Sequence, residues 1–349
     1  MKQDIQHDMQ HAIATYASQI GRDPLLIQGA GGNISWKDGN VLWIKASGTW
    51  LAEADTRNIF IPLDLAQTRA LVAQSSSDFQ SARIGDSTLR PSIETSLHAL
   101  LTHRIVVHVH AVDVIALAVL QQAPALLQEL LAGLAWAWVE YAKPGAELAQ
   151  AVARAMASQA QTDILLLANH GLVIGADSIE ECELRLADVL RRCAASIRQA
   201  GALGPEAATD ALREQALLAA GYQRCQDPVV QQLAHDPLSL SLAREKWVMY
   251  PDHAVFLGAL SPVMEAQECL PDFFQRLAGK PVCIIMAQHG VMLRTDCTPA
   301  QEAMLACYAA VTARIKNVSD VVCLTAEQIA ALLNWDAEKY RQSLSEKKH

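Results

Sequence analysis

The sequence of 349 residues predicts an α/β fold. Alanine and leucine dominate the composition and aromatic residues make up only 5% of it, which favours helices packed against a sheet. Short β-prone runs alternate with longer segments of helical periodicity along the chain. Hydrophobic residues account for 51% and charged residues for 19%, so the chain is a globular protein long enough for one large domain or two ordinary ones.

The N-terminal elements follow from local patterns. Residues 1–20 carry mixed charge in an amphipathic pattern, which predicts a helix and no signal peptide. A glycine-rich turn follows at Gly29–Ser35 (GAGGNIS), and Asp38-Gly39 between two β-prone runs predicts a hairpin. The hairpin pairs Ile34–Lys37 with Val41–Ala46; the next elements are a strand near Ile59–Pro62, a helix or loop through Gln80, a helix at Glu94–Thr102 and a strand at Ile105–Ala111.

The same alternation of strands and helices continues up to a predicted linker. In this stretch the predicted helices are Val114–Leu120, Leu126–Ala132 and Ala146–Gln159, and the predicted strands are Trp138–Tyr141 and Ile164–Ala168. Ser178, with Glu181 completing a capping box, predicts the start of a helix that runs to about Ala200. Gly201–Pro205 (GALGP) predicts the linker, so we expect domains at 1–203 and 204–349, the second opening with a helix at Glu206–Gln223.

A partial internal repeat joins the two halves. Ile164–Ile197 can be laid over Cys283–Lys316 without a gap, which places His170-Gly171 on His289-Gly290. This similarity predicts a duplicated fragment of the fold. The second half has no His-x-His strand, so we expect His289 to be structural; the role of His253 stays open.

A pair of histidines is the strongest chemical signal in the sequence. His108 and His110 lie in the apolar run IVVHVHA, where residues two apart share one face of a strand. They are either core residues, each needing a hydrogen-bond partner, or ligands of zinc or a related divalent metal. His170 follows another apolar run, and Glu94 precedes the pair. Three imidazoles with an acid predict an open, catalytic metal site.

Composition excludes several classes of partner and localisation. The formal net charge of −9 gives no basic footprint for nucleic acid, and no uninterrupted apolar run reaches about 18 residues, so we expect no membrane span. The eight cysteines are scattered without a CxxC pair, which predicts free, buried thiols in a cytoplasmic protein. Trp136, Trp138 and Tyr141 either pack in the core or line a pocket mouth or subunit interface.

Five ordered motifs resemble those of the class II aldolase/adducin family, typified by fuculose and rhamnulose phosphate aldolases. The resemblance covers residues 8–200. The motifs are Gly29–Ser35 as a phosphate loop, Lys45-Ala-Ser47-Gly48 as a second phosphate turn, Pro91–Thr95 with a phosphate-binding serine and the catalytic glutamate, and His108-Val-His110 with Asn169-His170-Gly171 as the metal-binding segments. The family often has a second serine where this chain has Ile93, and a threonine in the region of Lys45.

The resemblance implies a fold and a set of roles. The fold is a three-layer α/β/α domain with a central, mainly antiparallel sheet, followed here by a smaller C-terminal α/β unit that partly repeats it. The implied metal ligands are His108, His110 and His170, and the implied catalytic acid is Glu94, whose alternative role is a helix N-terminal acid. The implied phosphate or substrate contacts are Gly32, Asn33, Lys45, Ser47, Gly48 and Ser92.

Each group of residues also has a physical reason for its role. Glycines allow close backbone approach and a positive φ, so backbone N–H groups, Asn33 and serine hydroxyls could cradle a phosphate. A Gly-Ala-Gly-Gly turn alone is more often an ordinary tight turn; the accompanying residues favour an anion pocket. Lys45 either contacts the anion or is a solvated strand residue. His98 is assigned to packing or to support of the site.

The resemblance also implies an activity. It is a metal-dependent, aldolase-type lyase that cleaves a phosphorylated keto-sugar or sugar acid through a metal-stabilised enediolate. The same scaffold supports a decarboxylase, epimerase or dehydratase, and an adducin-like assembly module is the non-enzymatic alternative. We expect zinc, with manganese, cobalt or iron as alternatives. We further expect a small-molecule substrate and a homo-oligomer, a tetramer by resemblance.

Overall fold

The first half of the chain builds one large sheet. The computed structural model describes residues 2–159, 161–199 and 211–346. The strands of this sheet are β1 (Asn33–Asp38), β2 (Val41–Lys45), β3 (Phe60–Asp64), β4 (Ile105–Val109), β5 (Trp136–Val139), β6 (Ile164–Leu167) and β7 (Gly171–Ala176). They pair in the order β3-β2-β1-β4-β7-β6-β5, antiparallel except for β5 with β6. The histidine strand β4 is therefore central.

Helices cover both faces of this sheet. They are α1 (Lys2–Gly21), α2 (Leu65–Ala73), α3 (Thr95–Leu100), α4 (Val112–Ala118), α5 (Ala123–Leu130), α6 (Ala146–Ala157) and α7 (Ile179–Ala194). Alternate residues of β4 enter different cores. Val107 packs with α1, α4, α5 and α7, whereas Val106 packs with α3 and α6. The predicted three-layer α/β/α arrangement with a mainly antiparallel sheet is confirmed.

A smaller sheet follows in the second half. Its strands are β8 (Tyr222–Arg224), β9 (Val263–Met264), β10 (Cys283–Met286) and β11 (Gly290–Arg294), in the order β8-β11-β10-β9. Its helices are α8 (Ala211–Ala219), α9 (Pro228–His235), α10 (Pro237–Glu245), α11 (Pro251–Leu257), α12 (Leu270–Arg276), α13 (Pro299–Thr312), α14 (Ala326–Leu333) and α15 (Asp336–Glu346). The predicted C-terminal α/β unit is therefore present.

The small sheet repeats half of the large one. Leu167 pairs with Gly171 in the β6–β7 hairpin, and Met286 pairs with Gly290 in the β10–β11 hairpin, which are matched positions of the repeat. Each hairpin has a parallel strand on one side and an antiparallel strand on the other, β5 and β4 or β9 and β8. The repeated fragment thus corresponds to β4 through β7, and it lacks the β1–β3 hairpin region.

Several predicted boundaries are wrong. β5 begins at Trp136, two residues earlier than predicted, because its ends are set by pairing with β6. The helix predicted at Glu206–Gln223 ends at Ala219, since Gly221 takes a φ of +89° and Tyr222 enters β8. α7 ends at Ala194, short of Ala200. The linker Gly201–Pro205 and the predicted boundary at 203 lie outside the described residues.

The two units share a core. Val112 and Ile115 of α4 pack in one cluster with Met304 and Val311 of α13, and Arg314 pairs with Asp113 across the same contact. All eight cysteines are free; six are buried, while Cys269 is exposed and Cys323 is intermediate, so the prediction of buried thiols fails at Cys269. Across 2–159, 161–199 and 211–346, no helix has the length and apolarity needed to cross a membrane.

Candidate metal centre

Three imidazoles converge at one end of β4. His108 is the strand partner of Asn33 on one side and of Val173 on the other, which fixes its position, and His110 follows two residues later on the same face. His170 lies in the β6–β7 turn. The ring centroids are 4.9 to 5.2 Å apart, and one ligand nitrogen from each ring lies within 4.8 Å of the others. The cluster could hold a metal ion.

The β6–β7 turn brings His170 to the other two histidines. Asn169 takes a φ of +52°, and its side-chain amide donates to the backbone oxygens of Met249 and Val322, both at 2.8 Å. A Cβ at Gly171 would lie 2.5 Å from the backbone oxygen of Val109. The Asn-His-Gly sequence therefore combines a left-handed residue, a ligand and a close approach between strands.

The partners of the imidazoles leave their Nε2 atoms facing one another. The Nδ1–H of His108 donates to the backbone oxygen of Leu172 at 3.0 Å, and Nδ1 of His110 lies 3.5 Å from a carboxylate oxygen of Asp252. Both contacts favour a proton on Nδ1 and a lone pair on Nε2. The two Nε2 atoms are 3.2 Å apart. Two lone pairs at this distance repel unless a cation lies between them.

The geometry and protonation of the cluster fit a divalent metal. Burial lowers the pKa values of His110 and His170 to about 3, so both rings are neutral near pH 7. Two nitrogens bound at about 2.0–2.1 Å to a tetrahedral ion stand roughly 3.3 Å apart. The observed separation of 3.2 Å between the Nε2 atoms of His108 and His110 matches that value.

Glu94 faces the cluster from the start of α3. Its Oε2 lies 3.5 Å from Nε2 of His108 and accepts a 2.7 Å hydrogen bond from Asn33, while its Oε1 lies 3.4 Å from Nε2 of His170. The Oε1 atom has no hydrogen-bond partner among the described residues, although Glu94 is buried. A buried carboxylate oxygen left open beside two imidazoles is placed for a metal or a substrate proton.

The predicted anion-binding residues surround the same cavity as Glu94, His110 and His170. They are Gly32, Asn33, Lys45, Ser47, Gly48 and Ser92. Gly32 has a φ of +63°, and a Cβ there would lie 2.9 Å from the backbone oxygen of His108. The glycine loop is thus pressed against the histidine strand. A close approach of this kind requires the absence of a side chain.

Lys45 is a buried cation that joins the two loops. Its ammonium group donates to the backbone oxygens of Ala30 and Thr49, both at 2.7 Å, and its side chain is 1% exposed. The alternative of a solvated strand residue is therefore wrong. Lys45 holds the glycine loop to the turn at Ser47 and Gly48 and places a positive charge beside the cavity.

The second unit supplies two cavity residues that the sequence interpretation missed. Asp252 of α11 and Arg341 of α15 line the cavity, and Arg341 donates to both oxygens of Asp252 at 3.0 and 3.2 Å. Arg341 also donates to Glu338 at 2.8 Å. Asp252 is the neighbour of His253, whose role the sequence left open, so its position gave a weak signal. Nothing in the polar C-terminal pattern distinguishes Arg341 from the residues around it.

Burial and the charge of Arg341 act in opposite directions on the two carboxylates of this cluster. Burial raises the pKa of Asp252, but the charge of Arg341 and the hydrogen bond from it outweigh this effect and lower the pKa overall. Burial raises the pKa of Glu338 to about 7, with Asp252 and Glu94 adding to the effect of burial and Arg341 opposing it. The pair formed by Asp252 and Arg341 is therefore ionised.

The other candidate histidines lie away from the cluster. Nδ1 of His98 is 2.8 Å from the hydroxyl of Ser35, and its ring is fully buried, so it packs behind the site. His253 is enclosed by the rings of Trp247 and Tyr308, at 4.4 and 4.5 Å between centroids. His289 belongs to no metal-binding cluster of the described residues.

The small sheet explains why the repeat has no second cluster. Arg224 pairs with Met292 as His108 pairs with Val173, so Arg224 occupies the matched position of the first metal-site histidine. Gln226, two residues later, corresponds to His110. Trp136 is buried, and Trp138 and Tyr141 are half-buried. None of the three is among the described residues that line the metal-site cavity.

The chain is similar in sequence to one curated protein and in structure to several class II aldolase domains. Over 188 residues the chain is 29% identical to the uncharacterized oxidoreductase YuxG of Bacillus subtilis (strain 168), a match covering 49% of this chain and 27% of that protein. The N-terminal class II aldolase domain of a conserved Thermoplasma acidophilum protein shares 24% identity over 52% of this chain and 91% of its own, with a TM-score of 0.47. An L-fuculose 1-phosphate aldolase shares 18% identity over 54% and 84%, with a TM-score of 0.39.

The family model of the Class II Aldolase and Adducin N-terminal domain matches residues 12–197. That range includes the glycine loop, Glu94 and the three clustered histidines, and it ends before the second sheet. Asp252 and Arg341 lie outside it. The chain belongs to the class II aldolase and adducin family.

Proposed function

We propose that the protein is a metal-dependent lyase that cleaves a phosphorylated keto-sugar or sugar acid by a retro-aldol reaction. The observation that carries this proposal is the open Oε1 atom of Glu94, 3.4 Å from Nε2 of His170, at a cavity that also contains the glycine loop. A proton-transfer group, a metal-binding cluster and an anion cradle then face one small volume. Membership of the class II aldolase family supports a lyase-type enzyme.

The metal site is assigned to His108, His110 and His170. A divalent metal, zinc first and manganese, cobalt or iron as alternatives, would supply Lewis-acid stabilisation of negative charge on adjacent hydroxyl and carbonyl oxygens of the substrate. The three neutral imidazoles leave room for such oxygens, as catalytic sites with three protein ligands do.

The remaining residues bind the substrate and move its proton. Backbone N–H groups at Gly32 and Gly48, with the hydroxyls of Ser47 and Ser92, bind the phosphate or carboxylate, and Lys45 contributes its charge. Asn33 lines the same pocket and orients Glu94. The Glu94 carboxylate exchanges a proton with the carbon that keeps the electron pair when the C–C bond breaks.

The C-terminal helix α15 closes one side of the cavity. The cavity has a volume of about 20 Å³, enough for about one water molecule. Arg341 of α15 forms part of its wall, and Leu344 packs on Gly48 so closely that a Cβ there would lie 2.3 Å from its Cδ1. α15 therefore narrows the proposed anion site, and a sugar phosphate needs more room there than this conformation provides.

Decarboxylation of a keto sugar acid is the second candidate. The buried cation Lys45 lines the cavity, which favours a substrate with a carboxylate besides its phosphate. Epimerase and dehydratase activities use the same residues. An adducin-like assembly role does not account for three lone-pair-bearing imidazoles facing an open carboxylate oxygen.

Metal content and turnover, measured on the same variants, test the proposal. Wild type should contain one divalent metal per chain by elemental analysis, His170→Ala should lose it, and His289→Ala, the matched position of the repeat, should keep it. Glu94→Gln should keep the metal and lose about 10²- to 10⁴-fold in kcat on the active member of a panel of ketose phosphates and keto acids. Absence of bound metal from wild type would falsify the proposal, and carbon dioxide release from keto acids alone would favour the second candidate.

Assembly and localisation belong to the same proposal. We infer a homo-oligomer, with a tetramer favoured by family resemblance, that acts in the cytoplasm on a small molecule and binds neither nucleic acid nor membrane. Eight free thiols support the cytoplasmic location, and a net charge of −9 supports the absence of nucleic-acid binding. The division into units at 1–203 and 204–349 remains a proposal. Light scattering after size exclusion tests the tetramer.

A further inference from the structure

Asp252 reaches the candidate metal cluster from the second unit. It is the second residue of α11, and its Oδ2 lies 3.5 Å from Nδ1 of His110, on the side of the ring opposite the Nε2 atom that faces His108. Asp252 is 5% exposed and His110 is 6% exposed, so solvent does not substitute for this contact. The family region ends at residue 197, so Asp252 lies outside it.

The three imidazoles differ in what their second nitrogen contacts. Nδ1 of His108 donates to the backbone oxygen of Leu172, and Nδ1 of His170 has no hydrogen-bond partner among the described residues. Of the three Nδ1 atoms, that of His110 is the one that lies beside a carboxylate of the described residues. A carboxylate behind a metal-binding imidazole fixes its tautomer and ring orientation and raises its basicity.

Asp252 is itself held in place by the last helix. Arg341 binds both of its oxygens through Nη1 and Nη2, and Nη1 also donates to both oxygens of Glu338, one turn earlier on α15. Glu338 is 2% exposed and Arg341 is 7% exposed. A paired, fork-like contact of this kind leaves the carboxylate little freedom to rotate.

We propose that Asp252, held by Arg341 and Glu338, is a positioning residue for the metal ligand His110, so that α11 and α15 set the metal affinity of a site whose ligands all belong to the first unit. This inference rests on the metal site of the proposed function. It gives the C-terminal unit a chemical role. Removing the carboxylate frees the ring of His110 and weakens metal binding without removing a ligand.

The central experiment compares Asp252→Asn with Asp113→Asn. Asp113 also forms an ion pair between the two units, with Arg314, but it contacts none of the three histidines, so it is the matched control. Zinc affinity is measured by competition with a chromogenic chelator, and the ligand field is measured from the visible spectrum of the cobalt-substituted protein. Asp252→Asn should bind zinc about 10- to 100-fold more weakly and shift the cobalt bands. Asp113→Asn should change neither.

A second variant separates positioning from folding. Arg341→Lys keeps a cation beside Asp252 but loses the fork, so it should weaken zinc binding severalfold while urea unfolding of the metal-free protein stays cooperative. The inference is overturned, and the proposed function is left intact, if Asp252→Asn binds zinc within twofold of wild type. If Asp252→Asn does not fold, the same result in Arg341→Lys overturns it. A wild-type protein that binds no divalent metal overturns the proposed function and this inference with it.

Discussion

The side-chain amide of Asn33 donates a 2.7 Å hydrogen bond to Oε2 of Glu94, linking the glycine loop to the start of α3. Asn33 is also the strand partner of His108. One residue therefore aligns the acid with the histidine strand. The unpartnered Oε1 of Glu94 owes its direction to this bond, because the bonded Oε2 fixes the rotation of the carboxylate.

Replacing Asn33 by alanine should therefore impair catalysis more than binding. A hydrogen bond to a charged group contributes about 1.5–3 kcal/mol, which corresponds to roughly a 10- to 100-fold loss in kcat. Steady-state kinetics should show this loss with a smaller change in KM. Asn40→Ala removes an exposed amide–carboxylate bond, to Asp64, and serves as the control. A loss confined to KM would contradict a role in orienting Glu94.

Replacing Arg341 by methionine should destabilise the protein strongly. Arg341 pairs with two buried carboxylates, Asp252 and Glu338, and its loss leaves them uncompensated. Removing one partner of a buried ion pair costs about 3–5 kcal/mol. Urea unfolding should show this decrease, while Lys339→Met, whose partner Asp336 is exposed, should change stability by less than about 0.5 kcal/mol. Equal effects would mean that the buried cluster contributes nothing.

Gly32→Ala should lower the free energy of unfolding more than Gly39→Ala does, although both glycines have a positive φ, +63° and +57°. The left-handed backbone accounts for about 1–2 kcal/mol at either position. At Gly39 a Cβ meets nothing within 4 Å, whereas at Gly32 it would lie 2.9 Å from the backbone oxygen of His108. We expect Gly32→Ala to lower thermal stability further and to weaken zinc binding. Identical melting temperatures and zinc affinities in the two variants would exclude the close approach as a constraint.

Burial of His253 predicts acid sensitivity. Burial lowers its pKa from 6.5 to about 3, so the unfolded chain binds a proton at a higher pH than the folded chain does. The free energy of unfolding must then fall as pH drops below about 6.5, by about 2 kcal/mol at pH 5 for this one residue. His253→Leu should flatten the stability profile between pH 7 and pH 5. His11→Leu, at an exposed position of α1, is the control, and a wild-type slope in His253→Leu would contradict the prediction.

Local chemistry determined much of the fold. The Asp38-Gly39 turn, the Ser178 cap and the alternation of apolar runs depend on neighbours within a few residues, and the structure shows each of these elements. The exact ends of β5 and α8 were missed, because they depend on strand partners that periodicity does not reveal. Even the capping box is shifted: Glu181 accepts from the backbone of Asp177, one residue before the cap.

The sequence by itself determined that two histidines share one strand face and that the Asn-His-Gly segment and the glycine loop form turns. Strand periodicity and positive-φ turns depend on residues close together in the chain, so they can be read from it. Only the tertiary structure decided that Glu94, His170 and His108 meet, and that Lys45 is a buried link between two loops. It also decided that Asp252 and Arg341 belong to the site. These two residues bind each other although they lie 89 residues apart along the chain. A contact of that range depends on how α11 and α15 pack, which no local pattern encodes.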